Sequence, residues 1–116
     1  MQERTVPQEP PYLYLTTTGR RSGRPHQIEI WFTTHEGRCF VISERAESAD
    51  WVRNLRREPR VTISVGSRDA APIAARARVL AAGRERALWD AVRARSVEKY
   101  GWGDGLVVEI EPSAER

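Results

Sequence analysis

Apolar and polar positions alternate along most of this chain and switch twice to a helical period. Tyr12–Thr18, YLYLTTT, is aromatic and β-branched and predicts a strand. His26–Thr34, HQIEIWFTT, alternates. His26, Ile28, Ile30 and Phe32 share one face; Gln27, Glu29 and Trp31 share the other. His35–Arg38, HEGR, places glycine where a hairpin wants positive φ, and Cys39–Ser43, CFVIS, predicts the returning strand. The period then changes. Over Glu47–Pro59, Trp51 and Leu55 fall on one helical face, Ser48 or Asp50 can cap the start, and Pro59 ends it. Arg60–Val65 and Ala71–Ala81 return to alternation, joined by a hairpin loop at Gly66–Ala70. In the second of them Arg76 and Arg78 lie opposite Ile73, Ala75, Ala77 and Val79. A second helix is predicted over Arg84–Tyr100, with Leu88, Trp89, Val92, Ser96, Val97 and Tyr100 as its less charged stripe and Gly101 as its stop. Gly105–Pro112 predicts a closing strand with Leu106, Val108 and Ile110 inward.

The predicted order is β-β-β-α-β-β-α-β. Hairpin-joined strands with only two helices exclude a doubly wound parallel sheet. The expected fold is mainly β, of the α+β class: a small six-stranded antiparallel barrel with two packed helices. A chain of 116 residues supports one core. The expected division is a flexible, Pro-rich lead-in over 1–11, a barrel domain over 12–112 and a short tail over 113–116. No apolar run is long enough to span a bilayer, and MQERTVPQEPP lacks the apolar stretch of a secretory signal, so a cytoplasmic protein is expected.

Charge sharpens the picture. The net charge is +3, and Lys99 is the only lysine, so arginine supplies the excess. The guanidinium fork matches phosphate and carboxylate, which fits an anionic partner; a GC-rich genome would also favour arginine. A nucleic-acid surface would need aromatics interleaved with arginines on a sheet face. Trp31 with Arg76 and Arg78 could begin one, but Glu29 beside Trp31 argues against it, and no nucleic acid is expected. Cys39, the lone cysteine, sits in an apolar run and reads as a core residue. His26 and His35 bracket one strand with no ligand at metal-site spacing, so no metal is expected.

The densest charge lies in TTTGRRSGRP, Thr16–Pro25. Gly19 and Gly23 let the backbone turn and approach a ligand, and turn amides can converge on an anion. Arg20, Arg21 and Arg24 add charge-assisted donors, and Ser22 adds a hydroxyl. On these residues alone the segment is either a phosphate clamp or a solvated hairpin. It is not a Walker loop, because it leads into a strand. SADWVRNL, Ser48–Leu55, offers a helix N-terminus that could grip the same anion, with Trp51 as stacking or core residue and Asn54 reaching to a loop. In EKYGWGDG, Tyr100 and Trp102 suit either a lid over an apolar pocket or a plug on the barrel end. Ser43 has no His and Asp partners, and Glu29 has no paired carboxylate. A bound cofactor would therefore have to carry any redox chemistry.

LTTTGRRSGRPHQIEIWF (Leu15–Phe32), ADWVRNLRREPRVTISV (Ala49–Val65) and LVVEIEP (Leu106–Pro112) together resemble the deazaflavin-dependent nitroreductase and quinone reductase family. The resemblance runs from Tyr12 to Pro112 and implies a split β-barrel that binds coenzyme F420, a deazaflavin with a phosphate and an acidic tail. By resemblance, Arg20, Arg21 and Ser22, with Gly23 in their turn, hold phosphate and tail, and His26 is the basic residue after the proline. Ile28 to Ile30 run along the ring, and Ser43 lies near its reactive edge. Trp51 and Asn54 belong to the helix closing the groove, and Tyr100 falls where the substrate pocket is lined. The implied reaction is hydride transfer to a small electron-poor acceptor (quinone, nitro compound or enone), with Ser43, Tyr100 or water giving the proton. Glu29 and Glu44 depart from the family by putting negative charge where neutral or basic residues are usual. The alternatives on the same barrel are FMN, haem or an apolar molecule carried without turnover. A homodimer is expected, because a half-open barrel exposes a face.

Overall fold

The structure, a computed structural model, describes residues 9–113. Most of the expected lead-in (1–8) and the last three residues of the tail lie outside the described residues. The strands are β1 (Tyr12–Thr18), β2 (Pro25–His35), β3 (Arg38–Ser43), β4 (Arg60–Val65), β5 (Ile73–Val79) and β6 (Leu106–Pro112). Helix α1 (Asp50–Arg57) follows a short 3-10 turn at Ala46–Ser48, and helix α2 (Arg86–Tyr100) precedes β6.

The six strands close into an antiparallel barrel in the order β1-β2-β3-β6-β5-β4. Alternation dictates what fills it. Leu13, Leu15, Phe32, Val41, Val61, Ile63, Val108 and Ile110 point inward, and Leu55 from α1 joins them. Each such side chain contributes about 1.5–3 kcal/mol by leaving water. A second core lies outside the barrel wall, where Phe40, Ile42, Leu80, Val92 and Val107 pack beneath α2 with Leu88, Trp89 and Trp102. The middle of β6, Val107 to Ile110, is therefore buried on both faces. Cys39 packs against the barrel core, and burial pushes its thiol up to about 12, which keeps it unreactive.

One charge is enclosed in this frame. Glu109 of β6 is only 5% exposed and is held between two arginines. Arg38 Nε donates to it at 2.8 Å and Arg78 Nε at 3.0 Å. Arg78 also reaches Glu85 with both terminal nitrogens, at 3.0 and 2.8 Å, and so ties the approach to α2 onto the barrel.

Several expectations need correction. Neither Ser48 nor Asp50 caps α1: the cap position is Ala49, with no side-chain bond. The preceding 3-10 turn uses Ser48, whose hydroxyl donates to the Arg45 carbonyl at 2.7 Å. Ile73 and Val97, expected to be covered, are 42% and 52% exposed. Ile73 opens β5, where the wall ends, and Val97 lies on the rim of the α2 contact. Leu106 is half-buried, whereas Val107, on the opposite face, is fully covered by α2.

Candidate functional site

The glycine-bracketed turn between β1 and β2 is tightly wound. Gly19 N–H donates to the Arg24 carbonyl and Gly23 N–H to the Gly19 carbonyl, both at 2.8 Å. Gly23 takes a φ of 73°, and the Arg24 amide donates to Ser22 Oγ at 3.1 Å. A Cβ on Gly19 would stand 2.6 Å from both His26 Nε2 and Ser22 Oγ. Glycine at that position is what lets those two polar groups converge.

The turn is locked to α1 by Arg20. Its backbone amide and its Nη1 donate to Asn54 Oδ1, at 3.1 and 2.9 Å, and its Nη2 pairs with Asp50 Oδ1 at 3.2 Å. Asn54 is 4% exposed and donates in turn to Thr17 Oγ1 at 3.2 Å. By contrast, Arg21 and Arg24 are exposed and form no ion pair among the described residues.

A groove starts at this turn. Its first part, about 530 Å³, is lined by Gly19, Arg20, Arg21, Ser22, His26 and Asn54. It meets a wider cleft of about 810 Å³ along Ile28, Asp50 and Trp51. The wider part is walled by Ile30, Trp31, Ile42, Ser43, Glu44 and Trp102. The two ends differ in chemistry: one offers the exposed guanidinium of Arg21 and short polar groups, the other aromatic and aliphatic surface. Trp51 bridges them, packing partly on the barrel core and partly on the groove. Such a donor set fits a long ligand with an anionic end and a flat, apolar end.

Thus Arg20, Arg21, Ser22, His26, Ile28, Trp51 and Asn54 come together in one groove, and Ile30 and Ser43 lie in the cleft that continues it. Gly23 shapes the turn without lining either part. Ser43 is 2% exposed, and its hydroxyl donates to the Ala46 carbonyl at 2.8 Å. That bond closes a turn in which Ala46 takes the left-handed φ of 51°. Tyr100 lies outside the cleft. Its hydroxyl accepts the Phe32 amide at 3.0 Å and sits against the carbonyls of Phe32 and Pro11. These bonds tie the end of α2 to β2.

Sequence reasoning placed Trp31 on the polar face of β2 and weighed it only for a nucleic-acid surface, missing its place in the cleft. Its ring stacks on Tyr100 with centroids 4.4 Å apart and planes 2° apart, and stands edge-on to Trp102 at 6.4 Å. The signal available was a large indole in a position where alternation demanded a polar residue.

A family model described as F420H(2)-dependent quinone reductase matches residues 2–106. Among proteins with curated descriptions, none matches the chain. Solved structures share the fold. The haem storage protein HutZ from Vibrio cholerae is 23% identical, with a TM-score of 0.72, over 90% of this chain and 83% of that one. The Rv2991 protein of Mycobacterium tuberculosis is 19% identical, with a TM-score of 0.71, over 89% and 73%. An F420-H2 dependent reductase, FDR-A, is 21% identical, with a TM-score of 0.62, over 87% and 93%. No helix of the described residues is long and apolar enough to cross a membrane.

Proposed function

Because the chain belongs to the F420H(2)-dependent quinone reductase family, and is therefore an oxidoreductase that uses coenzyme F420, we propose that it reduces a small, electron-poor acceptor, of which quinones, nitro compounds and enones are the candidates. The observation that carries this reading is the two-ended groove. When bound, the reduced deazaflavin supplies a hydride. The chain's own residues bind, orient and shield.

Arg21, Ser22 and His26 would hold the phosphate and acidic tail at the turn. Arg20 is already committed to Asn54 and Asp50, so its task is to hold the turn against α1. Ile28, Ile30 and Trp51 would bear on the flat ring. Ser43 holds the Ser43–Ala46 turn, whose residues Glu44 and Arg45 line the cleft mouth. Its proton is engaged by Ala46, and Tyr100 is turned away. The proton that follows the hydride is assigned to water at the exposed mouth, beside Glu44 and Arg45.

The test is a fluorescence titration with F420, with FMN in parallel, at low and high salt. Saturable F420 binding that weakens with salt and with Arg21→Ala is expected, together with oxidation of reduced F420 by menadione. Absence of F420 binding at any salt would sink the reading, and tight FMN binding in its place would redirect it to a flavin.

A further inference from the structure

We propose that Ser22 is a phosphorylation site, and that a phosphate on its hydroxyl fills the cationic end of the groove and shuts the cofactor out. The inference rests on the reading of this turn as the place of the cofactor's phosphate, and adds a means of switching it off.

Sequence, exposure and an uncommitted proton coincide at Ser22. Arg20 and Arg21 precede it and Arg24 follows, a basic run of the kind that serine kinases with acidic substrate grooves read. It is exposed, in a turn beyond the last β1–β2 pair, Thr18 with Pro25. Its oxygen accepts the Arg24 amide at 3.1 Å, and its proton goes to no acceptor among the described residues. Two other serines follow arginines and differ on these points. Ser96 comes after Arg93 and Arg95 but is 4% exposed and donates to the Trp102 carbonyl. Ser48 comes three residues after Arg45, but Glu47 precedes it and its proton is held by the Arg45 carbonyl at 2.7 Å. Gly19 and Gly23 give the turn the backbone freedom to open into a kinase groove, once the two bonds that close it are broken.

In the step itself the γ-phosphoryl group of ATP passes to Ser22 Oγ. The bond from Pγ to the bridging β-phosphate oxygen breaks, an Oγ–P bond forms, ADP leaves, and the hydroxyl proton goes to the kinase's base. The product carries a charge of about −1.5 to −2 at neutral pH. It stands where donors already converge. The exposed guanidinium of Arg21 and the ring of His26 line the same space of about 530 Å³, and His26 Nε2 and Ser22 Oγ meet across the gap that Gly19 leaves without a Cβ. The Arg24 amide already points at Oγ. Arg20 is held by Asn54 and Asp50, which anchors the turn beneath the new group.

Charge then turns the site against its ligand. The charged and titratable groups around Ser22 are Arg20, Arg21, Arg24, His26 and Asp50; Asp50 is the acidic one, and it is paired with Arg20. A phosphate in this cationic field stays ionised and engaged. Tethered by one side chain, it competes from an effective concentration on the order of millimolar, and it repels both the phosphate and the acidic tail of the cofactor.

The experiment treats the whole protein with MgATP and the catalytic subunit of cyclic-AMP-dependent kinase, a basophilic enzyme, beside Ser22→Ala and the free peptide Thr16–Pro25. One phosphate on the native protein, mapped to Ser22 by fragment mass and absent from Ser22→Ala, is expected. Phosphorus NMR should show the phosphoserine titrating below its ordinary value of about 6, and returning to it in Arg21→Ala or in urea. Fluorescence titration should show F420 bound about tenfold or more weakly by the phosphorylated protein, with a smaller loss in Ser22→Asp. Phosphoserine installed at position 22 during translation should give the same two readings without a kinase. Modification of the peptide but not of the folded protein, or of neither, would overturn the proposal, and so would an unshifted titration or a phosphorylated protein with native F420 affinity. If the native protein binds no F420, the reductase reading fails on its own, and the kinase and phosphorus measurements still decide whether this turn accepts a phosphate and holds it.

Discussion

A single oxygen, Asn54 Oδ1, receives both the backbone amide and the guanidinium of Arg20. One side chain of α1 thereby fixes both the path of the cationic turn and the direction of its first arginine. Arg20 and Arg21 are adjacent in sequence and opposite in use. Arg20→Ala is expected to lower stability by about 1 kcal/mol, since its ion pair with Asp50 is largely solvent-screened and its bonds to Asn54 carry the effect. Arg21→Ala should leave stability within about 0.5 kcal/mol and weaken F420 several-fold, with a shallower salt dependence. Urea unfolding and F420 titration separate the two.

Asn54→Ala goes further. It strips partners from the Arg20 amide and from Thr17 Oγ1 in a buried place. A loss of about 2 kcal/mol is expected, with F420 affinity falling because the turn loses its anchor. Equal stability in the variant and the native protein would show that the turn holds its shape without α1.

Ser43→Ala distinguishes a positioning hydroxyl from a proton donor. Loss of the bond to Ala46 should cost about 1 kcal/mol and lower kcat less than tenfold, with the solvent isotope effect unchanged. A fall of 10²-fold or more, on the scale of a lost general acid, would return the proton to Ser43.

Acid should loosen the attachment of α2. Arg78 beside Glu85, with the Ala81 amide, holds the Glu85 carboxyl down at about 2, below its ordinary 4.5. A depressed folded-state value means that the stabilisation is fully present above the unfolded value and is lost as pH falls from about 4.5 through about 2. Glu85→Gln should flatten thermal stability across that window. An unaltered acid limb in the variant would refute the assignment.

Thr33 is 2% exposed, and its hydroxyl finds no partner among the described residues. Thr33→Val keeps the shape and removes the unpaired group. A gain of about 1 kcal/mol is expected, read as a raised Tm; a lowered Tm would reveal a partner that the hydroxyl satisfies.

Much of the architecture was legible because it is written in short range. The residues of β1 and β4 coincide with their predicted spans, since alternation and turn residues are local signals. Gly101 closes α2 at a φ of 76°, as its position required. What stayed hidden depends on partners far along the chain. Glu109 looks like an ordinary outward residue of a strand until Arg38 and Arg78 arrive from its two neighbours. Arg20 reads as a free cation until α1 is folded beside it. The indole of Trp31 falls on the polar side of β2 by period, and only the stack with Tyr100 shows why it belongs there.

Strand β6 pairs with β3 on one side and β5 on the other. On a ribosome, every other strand emerges before it. Until β6 arrives, β3 and β5 are raw edges, Phe40 and Val92 lack the Val107 that joins their cluster, and Arg38 and Arg78 lack the carboxylate that holds them both. Without β6 in place those two edges would stay unpaired and open to wrong neighbours, so the docking of this one strand closes the wall and shields both at once.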